Sequence, residues 1–330
     1  MHAFNVDAFL RDSIREICNE KLIGRAGHYY SSNAAVHVGC GETRHGSDQV
    51  PAGALEWLGA FPDARAFVDE VIWSEDAGGY SASLRLTVVA HNTGPSRFGP
   101  ATGRRVVVTG IVNSRIRNER IVEQWIECDE AALIRQMGFD AREVVERQAL
   151  IEPAEEFGGD LGRGVTDWGG QSAAPPLPDA STELKGADLI EAAVSAVWNG
   201  RLPGAVPRFY ASTYRERVAG REIFGREEVQ AEVLAALSAF PDLRLHVDEV
   251  VCREERGGQR TSTRWTLLGT NTGHSAYGPP SDRYVRLTGI SNHRIRDSRF
   301  QEGWTEYSAL SLQRQLARPP EGTPESSSNE

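Results

Sequence analysis

A long internal repeat constrains the fold of this chain more than any other feature of its sequence. FPDARAFVDEV at 61–71 returns as FPDLRLHVDEV at 240–250, an offset of 179 residues. The alignment runs without a gap from 61–137 to 240–316 and contains 36 identities in 77 positions. Chance similarity cannot give this agreement, and a period this long indicates a duplicated domain rather than a solenoid of short units. We therefore predict two copies of one fold.

The division of the 330 residues follows from the repeat and from the composition between and after the copies. We assign residues 1–150 to the first copy and 183–318 to the second copy. Gly, Pro, Ser and acidic residues dominate 151–182, which predicts a linker. Docking of Trp168 onto one of the copies is left open. Residues 319–330, at the end of RPPEGTPESSSNE, have the composition of a disordered tail.

The order of predicted helices and strands is the same in both copies. An apolar pattern near helical spacing opens each copy, and a second helix follows Gly46 in the first and Gly225 in the second. Four strands with alternating β-formers come next, in stretches such as SLRLTVVA and STRWTLLGT. Asp129 and Ser308 stand where the N-cap of a short last helix belongs. This order predicts an α+β fold in which helices cover one face of a curved antiparallel sheet.

Composition argues against several kinds of partner and compartment. Lys and Arg total 36 against 46 Asp and Glu, and the formal charge of −10 disfavours nucleic-acid binding through phosphate contacts. No apolar run approaches the roughly 18 residues of a membrane-spanning helix. The charged N-terminal stretch lacks the apolar core of a signal peptide, and the four cysteines form no C-x-x-C pair. We predict a cytoplasmic protein without membrane or nucleic-acid partners.

Several motifs recur in the same order in the two copies. In the second copy they are AFPDLRLHVDEV, TRWTLLGTNTG, GPPSDRYVRLTGI and RIRDSRFQEGWTEYSALSLQRQL; in the first they are AFPDARAFVDEV, HNTG, FGPATGRRVVVTGI and RIVEQWIECDEAALIRQMG. Together they resemble the SnoaL-like polyketide cyclase family of the nuclear-transport-factor-2-like superfamily. The resemblance implies cone-shaped α+β domains, each with a pocket between helices and sheet, that pair sheet against sheet. Two fused copies are then expected to form a pseudo-dimer within one chain.

The resemblance also implies catalytic residues that this chain lacks at the expected places. The related cyclases carry an acid/base Asp directly after the Trp of the fourth strand, where this chain has Ile126 and Thr305. A family His on the third strand is replaced by Val112 and Ser291. Neither an alkyl group nor a hydroxyl moves a proton as a carboxylate does. A standard aldol-type ring closure is therefore not expected.

Strand alternation separates residues on the inner face, toward the predicted pocket, from residues on the outer face. The outer-face residues are identical in the two copies: Arg85/Arg264, Asn113/Asn292, Arg115/Arg294, Trp125/Trp304 and Glu127/Glu306. The inner-face residues have diverged: Leu86/Trp265, Val112/Ser291, Ser114/His293, Ile126/Thr305 and Cys128/Tyr307. The preserved outer face predicts that the two sheets pack there through Arg–carboxylate pairs and Trp. A catalytic or anion-binding cluster is the alternative.

The candidate catalytic residues lie mainly on the inner faces. In the second copy, His293 is a candidate general base with Tyr307 as hydrogen-bond donor. In the first copy, His37 matches a His found early in the family and is paired with Tyr30, and ordinary packing is the alternative. Further residues predicted to contact a ligand are Trp265, Ser291, Thr305, Asn271, Ser114, Cys128, Asn92 and Tyr210. Asn92 and Asn271 lie in HNTG and TNTG turns, which a local structural role explains equally well.

The stretch VHVGCGETRHG contains four side chains of metal-ligand type, at His37, Cys40, Glu42 and His45. Their spacing matches no standard metal motif and the stretch is predicted to be a loop, so no metal and no cofactor is expected.

Two functions stay open from the sequence. The first is metal-free proton transfer on a small, partly apolar molecule, of the cyclase, isomerase or lyase type. The second is a non-catalytic small-molecule-binding or accessory module, which the replaced family Asp favours. Whether the fused pair associates into a larger homo-oligomer is also open.

Overall fold

The two predicted copies are the organising feature of the structure. The computed structural model describes residues 4–39, 41–46, 49–151, 176–179 and 182–317. Trp168, Cys40, the predicted tail and most of the predicted linker lie outside these ranges. Within them, the second copy repeats the elements of the first in the same order, except that the first copy ends with one further helix.

The first copy begins with helices, continues with strands and ends with helices. Its helices are α1 (Val6–Ser13) with a π-helical extension (Ile14–Asn19), a 3-10 turn (Ile23–Arg25), α2 (Ala26–Tyr29), α3 (Gln49–Ala60), α4 (Glu130–Met137) and α5 (Ala141–Ile151). Its strands are β1 (Tyr30–Val38), β2 (Glu42–His45), β3 (Arg65–Asp76), β4 (Gly79–His91), β5 (Arg105–Arg117) and β6 (Arg120–Cys128).

The second copy repeats this arrangement. Its helices are α6 (Gly186–Ala193) with a π-helical extension (Val194–Asn199), a 3-10 turn (Pro203–Ala205), α7 (Val206–Phe209), α8 (Gly225–Ala239) and α9 (Ala309–Ala317). Its strands are β7 (Tyr210–Val218), β8 (Arg221–Phe224), β9 (Arg244–Glu255), β10 (Gly258–Thr270), β11 (Tyr284–Arg296) and β12 (Arg299–Tyr307).

The sheets differ from the predicted antiparallel sheet of four strands in the number and in the direction of their strands. Among the described residues each sheet has six strands, in the order β2-β1-β6-β5-β4-β3 and β8-β7-β12-β11-β10-β9. The neighbours β1 and β6 run parallel, as do β7 and β12, so each sheet is mixed. The sequence of β1, YSSNAAVHV, is rich in small and polar residues, and pairing with β6 rather than intrinsic propensity makes it a strand. The predicted loop VHVGCGETRHG therefore contributes to two strands, β1 and β2.

Helices cover the inner face of each sheet, as predicted. In the first copy, Val6 and Leu10 of α1 are buried in one apolar cluster with Leu84 and Val112 of the sheet. The predicted N-caps are also confirmed. The Ala132 N–H donates to Asp129 Oδ1 over 2.9 Å at α4, and the Ser311 N–H donates to Ser308 Oγ over 3.1 Å at α9.

The outer faces of the two sheets pack against each other, as the preserved outer-face residues predicted. Reciprocal hydrogen bonds cross this contact. Ser83 Oγ donates to Asn292 Oδ1 (3.3 Å), and its repeat equivalent Ser262 Oγ donates to Asn113 Oδ1 (3.1 Å). Equivalent residues thus exchange equivalent contacts, which is the property of an isologous interface. The chain is an intrachain pseudo-dimer.

Arginine and tryptophan side chains form a second reciprocal set of contacts. The Arg85 guanidinium carbon lies 4.4 Å from the ring centroid of Trp304, and that of Arg264 lies 4.1 Å from the ring centroid of Trp125. A guanidinium over an indole face is held by the ring's quadrupole, and more strongly where water is excluded. The two Trp side chains therefore lie in the contact between the outer faces of the two sheets, which we call the shared wall, and not in either interior.

The partners of Glu127 and Glu306 differ from the predicted Arg–carboxylate pairs. Thr288 Oγ1 donates to Glu127 Oε1 (2.7 Å) and Thr109 Oγ1 donates to Glu306 Oε1 (2.5 Å), each from the opposite copy. Burial in the wall raises the pKa of each carboxyl to about 8. At neutral pH both are therefore largely protonated, and a neutral carboxyl needs no guanidinium. The arginines pair instead with peripheral carboxylates, as in Arg115–Glu123 (2.9 Å).

Candidate functional site

The second copy contains a cavity of about 760 Å³ between its helices and the inner face of its sheet. Its walls are mainly apolar, and its larger apolar lining residues are Ile190, Val194, Trp198, Leu245, Leu267 and Leu287. A concave apolar space with few polar groups is the usual form of a small-molecule site. The polar groups that enter it decide its chemistry.

A chain of hydrogen bonds across the inner face ends at one carboxylate. Trp265 Nε1 donates to Ser291 Oγ (2.9 Å), and the hydroxyls of Ser291 and Thr305 lie 2.7 Å apart. Thr305 Oγ1 then donates to Glu216 Oε1 (2.5 Å). Because the Thr305 proton is used in the bond to Glu216, Ser291 is the donor to Thr305. Each hydrogen bond from Trp265 through Ser291 and Thr305 is therefore donated in the direction of Glu216.

Glu216 lies on β7, and its other oxygen is also bound. The Tyr214 hydroxyl donates to Glu216 Oε2 over 2.9 Å. Gly303 faces this pair on β12, and a Cβ at that position would collide with the Tyr214 hydroxyl and the Glu216 side chain. Burial raises the pKa of Glu216, while the hydrogen bonds from Thr305 and Tyr214 favour its ionised form. Opposed influences of this kind are typical of catalytic carboxyls.

His293 also lines the cavity, but burial changes its predicted role. Its ring packs 4.6 Å from Phe300, and its Nδ1 has no hydrogen-bond partner among the described residues. Burial lowers the pKa of His293 to about 4. The imidazole is therefore neutral at neutral pH and is a weak base there. It remains able to donate or accept a hydrogen bond from a bound molecule.

Tyr307 and Tyr210 complete the polar and aromatic lining. Tyr307 shares a hydrogen bond with Tyr277, and burial raises its pKa above the ordinary value, so it stays a neutral phenol. Tyr210 is the first residue of β7, the strand that carries Glu216. Its ring centroid lies 4.9 Å from those of both Tyr214 and Phe300. The structure thus brings the second-copy candidates His293, Tyr307, Trp265, Ser291, Thr305 and Tyr210 together at one cavity.

The two turn asparagines were also predicted to contact a ligand, and the structure uses them locally instead. Asn271 Nδ2 donates to the carbonyls of Ala239 and Gly273, and its Oδ1 accepts from Ser281. Asn92 makes the same contacts in the first copy. Both asparagines are buried and their polar atoms are occupied, so the local alternative explains them.

The inner face of the first copy carries a different hydrogen-bond network. Tyr30 donates its hydroxyl to Gln124 Oε1 (2.9 Å), and Gln124 Nε2 donates to Ser114 Oγ (3.0 Å). An amide therefore takes the place of a carboxylate. Cys128 packs against an adjacent apolar cluster, and burial raises its pKa to about 12, which keeps it a thiol. The network thus joins Tyr30, Gln124 and Ser114 through hydroxyl and amide groups.

The prediction that His37 lines the first interior is wrong. His37 pairs in register with Trp125, and its ring stacks on that indole at 5.3 Å between centroids. Successive strand residues alternate between faces, so His37 lies on the outer face. Its Nε2 lies 3.2 Å from Glu123 Oε1 and its Nδ1 lies 3.0 Å from Thr43 Oγ1.

The described residues offer neither a metal centre nor a membrane span. Within them no group of three or more His, Cys, Asp or Glu side chains is placed to hold a metal ion. Cys40, one of the four metal-type residues considered from sequence, is not among them. In the same part of the chain, no helix combines the length and apolarity needed to cross a bilayer.

Glu216 is the residue that sequence reasoning missed. Strand pairing places it opposite Gly303, as Val36 lies opposite Gln124 in the first copy, so Glu216 and Val36 are equivalent. The alternation in YRERV puts Tyr214, Glu216 and Val218 on one face, and this pattern would have identified an inward carboxylate once β7 was recognised as a strand. The sequence of β7 has weak strand propensity, so the strand was not predicted and Glu216 was not identified.

Fold and site together define a class: a tandem pair of cone-shaped α+β domains, joined through their sheets, with an apolar-walled cavity in the second. The family model described as SnoaL-like polyketide cyclase matches residues 8–137 and 188–316. The chain belongs to the SnoaL-like polyketide cyclase family. No protein of curated function matches its sequence.

Several solved structures are similar to parts of the chain. TsrD from Streptomyces laurentii is 22% identical, with a TM-score of 0.36 over 40% of this chain and 94% of its own. IdmH from Streptomyces antibioticus is 21% identical, with a TM-score of 0.35 over 41% of this chain and 99% of its own. A SnoaL-like polyketide cyclase from Agrobacterium tumefaciens str. C58 is 16% identical, with a TM-score of 0.34 over 40% and 98%.

Proposed function

We propose that the second copy catalyses proton transfer on a small, partly apolar molecule bound in its cavity, with Glu216 as the acid/base group. The observation that carries this proposal is the Glu216 carboxylate, which borders the cavity and accepts hydrogen bonds from Thr305 and Tyr214. Burial raises its pKa toward the range in which a carboxyl both accepts and returns a proton. The class of reaction is isomerase-, cyclase- or lyase-like.

The proposed step is balanced within the substrate and Glu216. The carboxylate takes a proton from a carbon next to a carbonyl, and the electron pair of the broken C–H bond moves into an enolate. The protonated Glu216 then returns its proton to carbon or to a leaving oxygen. Thr305 and Tyr214 hold both carboxylate oxygens, so little reorganisation is needed during the step.

Neutral donors in the cavity fit the oxygen of such a substrate. His293 has a free Nδ1 among the described contacts, and Tyr307 is a neutral phenol. A hydrogen bond from either group stabilises developing negative charge on oxygen without transferring the proton fully. In this proposal His293 and Tyr307 orient the substrate, and Glu216 moves the proton.

A second candidate is a binding module without catalysis. It is favoured by the replacement of the family's acid/base Asp by Ile126 and Thr305 in the two copies. In this role the cavity of the second copy would bind a molecule without moving a proton. The two candidates differ in whether a bound molecule exchanges a carbon-bound proton.

Deuterium exchange tests the proposal with an unidentified substrate. The full chain is incubated in D₂O with a metabolite extract of the organism that encodes it, and bound and free molecules are analysed by mass spectrometry. We expect one class of bound molecule to gain a deuteron at carbon with the wild type. The Glu216→Gln variant keeps the shape and should retain that molecule but lose the exchange by about 10²-fold or more.

Glu222→Gln is the matched control, because Glu222 lies on the neighbouring strand and pairs with Arg217 outside the cavity. Its exchange rate should equal that of the wild type. Captured molecules that show no exchange with the wild type would favour the binding module. Equal exchange with wild type and Glu216→Gln would show that Glu216 is not the acid/base group.

A further inference from the structure

The first copy contributes to the lining of the cavity in the second copy. Asp129, Ala131 and Arg135, at the start and along one side of α4, border the cavity together with Arg221 and Glu232 of the second copy. Arg135 and Arg221 mark its rim, because they have the exposed side chains expected at an opening, 60% and 58% accessible. The pairing of the sheets thus makes one copy part of the other's site.

We propose that Arg135 of the first copy determines the specificity of this site by binding a carboxylate or similar anionic group at the solvent-facing end of the ligand. The inference rests on the cavity assigned under the proposed function and adds a substrate class to it. A guanidinium binds a carboxylate through two parallel N–H bonds, which makes it the suitable side chain for this contact.

Four charged residues border the cavity near its opening: Asp129, Arg135, Arg221 and Glu232. Arg135 is the most weakly paired of them. Both terminal nitrogens of Arg221 bind the Glu232 carboxylate, at 2.9 and 2.8 Å, so those two charges are matched. Asp129 is 4% exposed, and its Oδ1 accepts the Ala132 N–H. The closest approach of Arg135 to Asp129 is 3.8 Å, beyond hydrogen-bond distance. Its donors are available to a ligand, and His274 is a further titratable residue that lines the cavity.

The residues inside the cavity determine the orientation of a bound ligand. Glu216 lines the cavity among mainly apolar residues, and a second negative charge beside it would be repelled in a medium that screens poorly. An anionic group is therefore disfavoured inside and favoured at the rim. The ligand class is a mainly apolar molecule with its reactive carbonyl inward, toward Glu216, and an anionic substituent outward, toward Arg135.

The repeat supplies a control residue. Arg314 is equivalent to Arg135, lies on α9 of the second copy and is not among the residues that line the cavity. Substitution of either residue removes one positive charge from an equivalent helix. A difference between the two variants therefore reports position and not overall charge.

The test uses two aromatic probes of equal size, naphthalene carboxylate and naphthalene carboxamide. Their affinities for the full chain are measured by isothermal titration calorimetry, with quenching of tryptophan fluorescence as a second readout, because Trp198 and Trp265 line the cavity. For Arg135→Gln we expect naphthalene carboxylate to bind about fivefold more weakly. We expect naphthalene carboxamide to be unaffected, and Arg314→Gln to behave as wild type with both probes.

Each remaining outcome is decisive. Equal losses for both probes in Arg135→Gln, or equal effects of Arg135→Gln and Arg314→Gln on the carboxylate, overturn the assignment of Arg135 and leave the cavity as a ligand site. If neither probe binds the wild type, the ligand class assigned through Arg135 is wrong, and the deuterium-exchange assay decides the proposed function separately.

Discussion

At the residue scale, Glu216 is held between two opposed influences. Burial favours the protonated carboxyl, and the hydroxyls of Thr305 and Tyr214 favour the carboxylate. Thr305 stands at the position where the related cyclases carry their Asp. The side chain at that position thus contacts a carboxylate on the adjacent parallel strand instead of carrying one. The acid/base group proposed here is displaced by one strand and remains over the same inner face.

Thr305→Val removes the hydrogen bond to Glu216 and keeps the side-chain shape. The ionised form loses one donor, so the pKa of Glu216 should rise further. In the deuterium-exchange assay the acidic limb of the pH–rate profile should move to higher pH, by up to about one unit for one lost hydrogen bond. Thr305→Ser retains the hydroxyl and should restore the wild-type profile. An unmoved limb in Thr305→Val would mean that Glu216 does not control the exchange.

At the element scale, the strands of the shared wall rely on arginines of unequal importance. Arg264 on β10 lies over Trp125 of the opposite copy, and its side chain is 16% accessible. Arg115 on β5 is 36% accessible and pairs with Glu123 of its own copy and, at 3.5 Å, with Glu249 across the contact. Exclusion of water strengthens the contacts of Arg264, whereas solvent weakens those of Arg115.

The same substitution at the two positions tests this difference. Arg264→Ala should lower the free energy of unfolding by about 2 kcal/mol, since it removes a desolvated cation–π contact and leaves Asp248 without its arginine. Arg115→Ala should cost about 1 kcal/mol or less. Urea denaturation of the full-length variants measures both. A larger loss in Arg115→Ala would contradict the assigned contacts.

At the scale of the whole molecule, the union of the copies depends on two carboxyls that are buried in the wall. Glu127 and Glu306 have pKa values of about 8 in the folded protein, against an ordinary value of 4.5 in the unfolded chain. Between these values the folded state holds protons that the unfolded state releases. These two groups therefore contribute a stability that is full below the unfolded pKa and is lost as pH rises through the folded pKa.

The double variant Glu127→Gln, Glu306→Gln should remove this dependence, because glutamine resembles the protonated acid and can still accept from Thr288 and Thr109. We expect the stability of the variant relative to wild type to increase as pH rises from about 5 to about 8. Urea unfolding of both proteins across that range measures the difference. A difference that is constant with pH would show that the two carboxyls are ionised in the folded state.

The repeat made much of the fold predictable. The offset of 179 residues established two equal domains, and the identical outer-face residues predicted the sheet-to-sheet contact that Trp125, Trp304 and their arginines form. Alternation also placed Trp265, Ser291, His293 and Thr305 on one inner face. The local sequence pattern did not predict β1 and β7, because each becomes a strand by parallel pairing with a strand that is distant in sequence. As a result, His37 was assigned to the wrong face of the sheet, and Glu216 was not identified as a candidate site residue.

The sequence alone therefore determined the duplication, the family, the shared wall and the divergence of the inner faces, since periodicity and identity are properties of residues along the chain. The tertiary structure decided that the second copy holds a cavity and that the carboxylate of this cavity comes from β7. It also decided that His293 is neutral and that Arg135 of one copy reaches the site of the other. Protonation and cavity lining depend on burial and on which strands and helices become neighbours, and neither quantity is local in sequence.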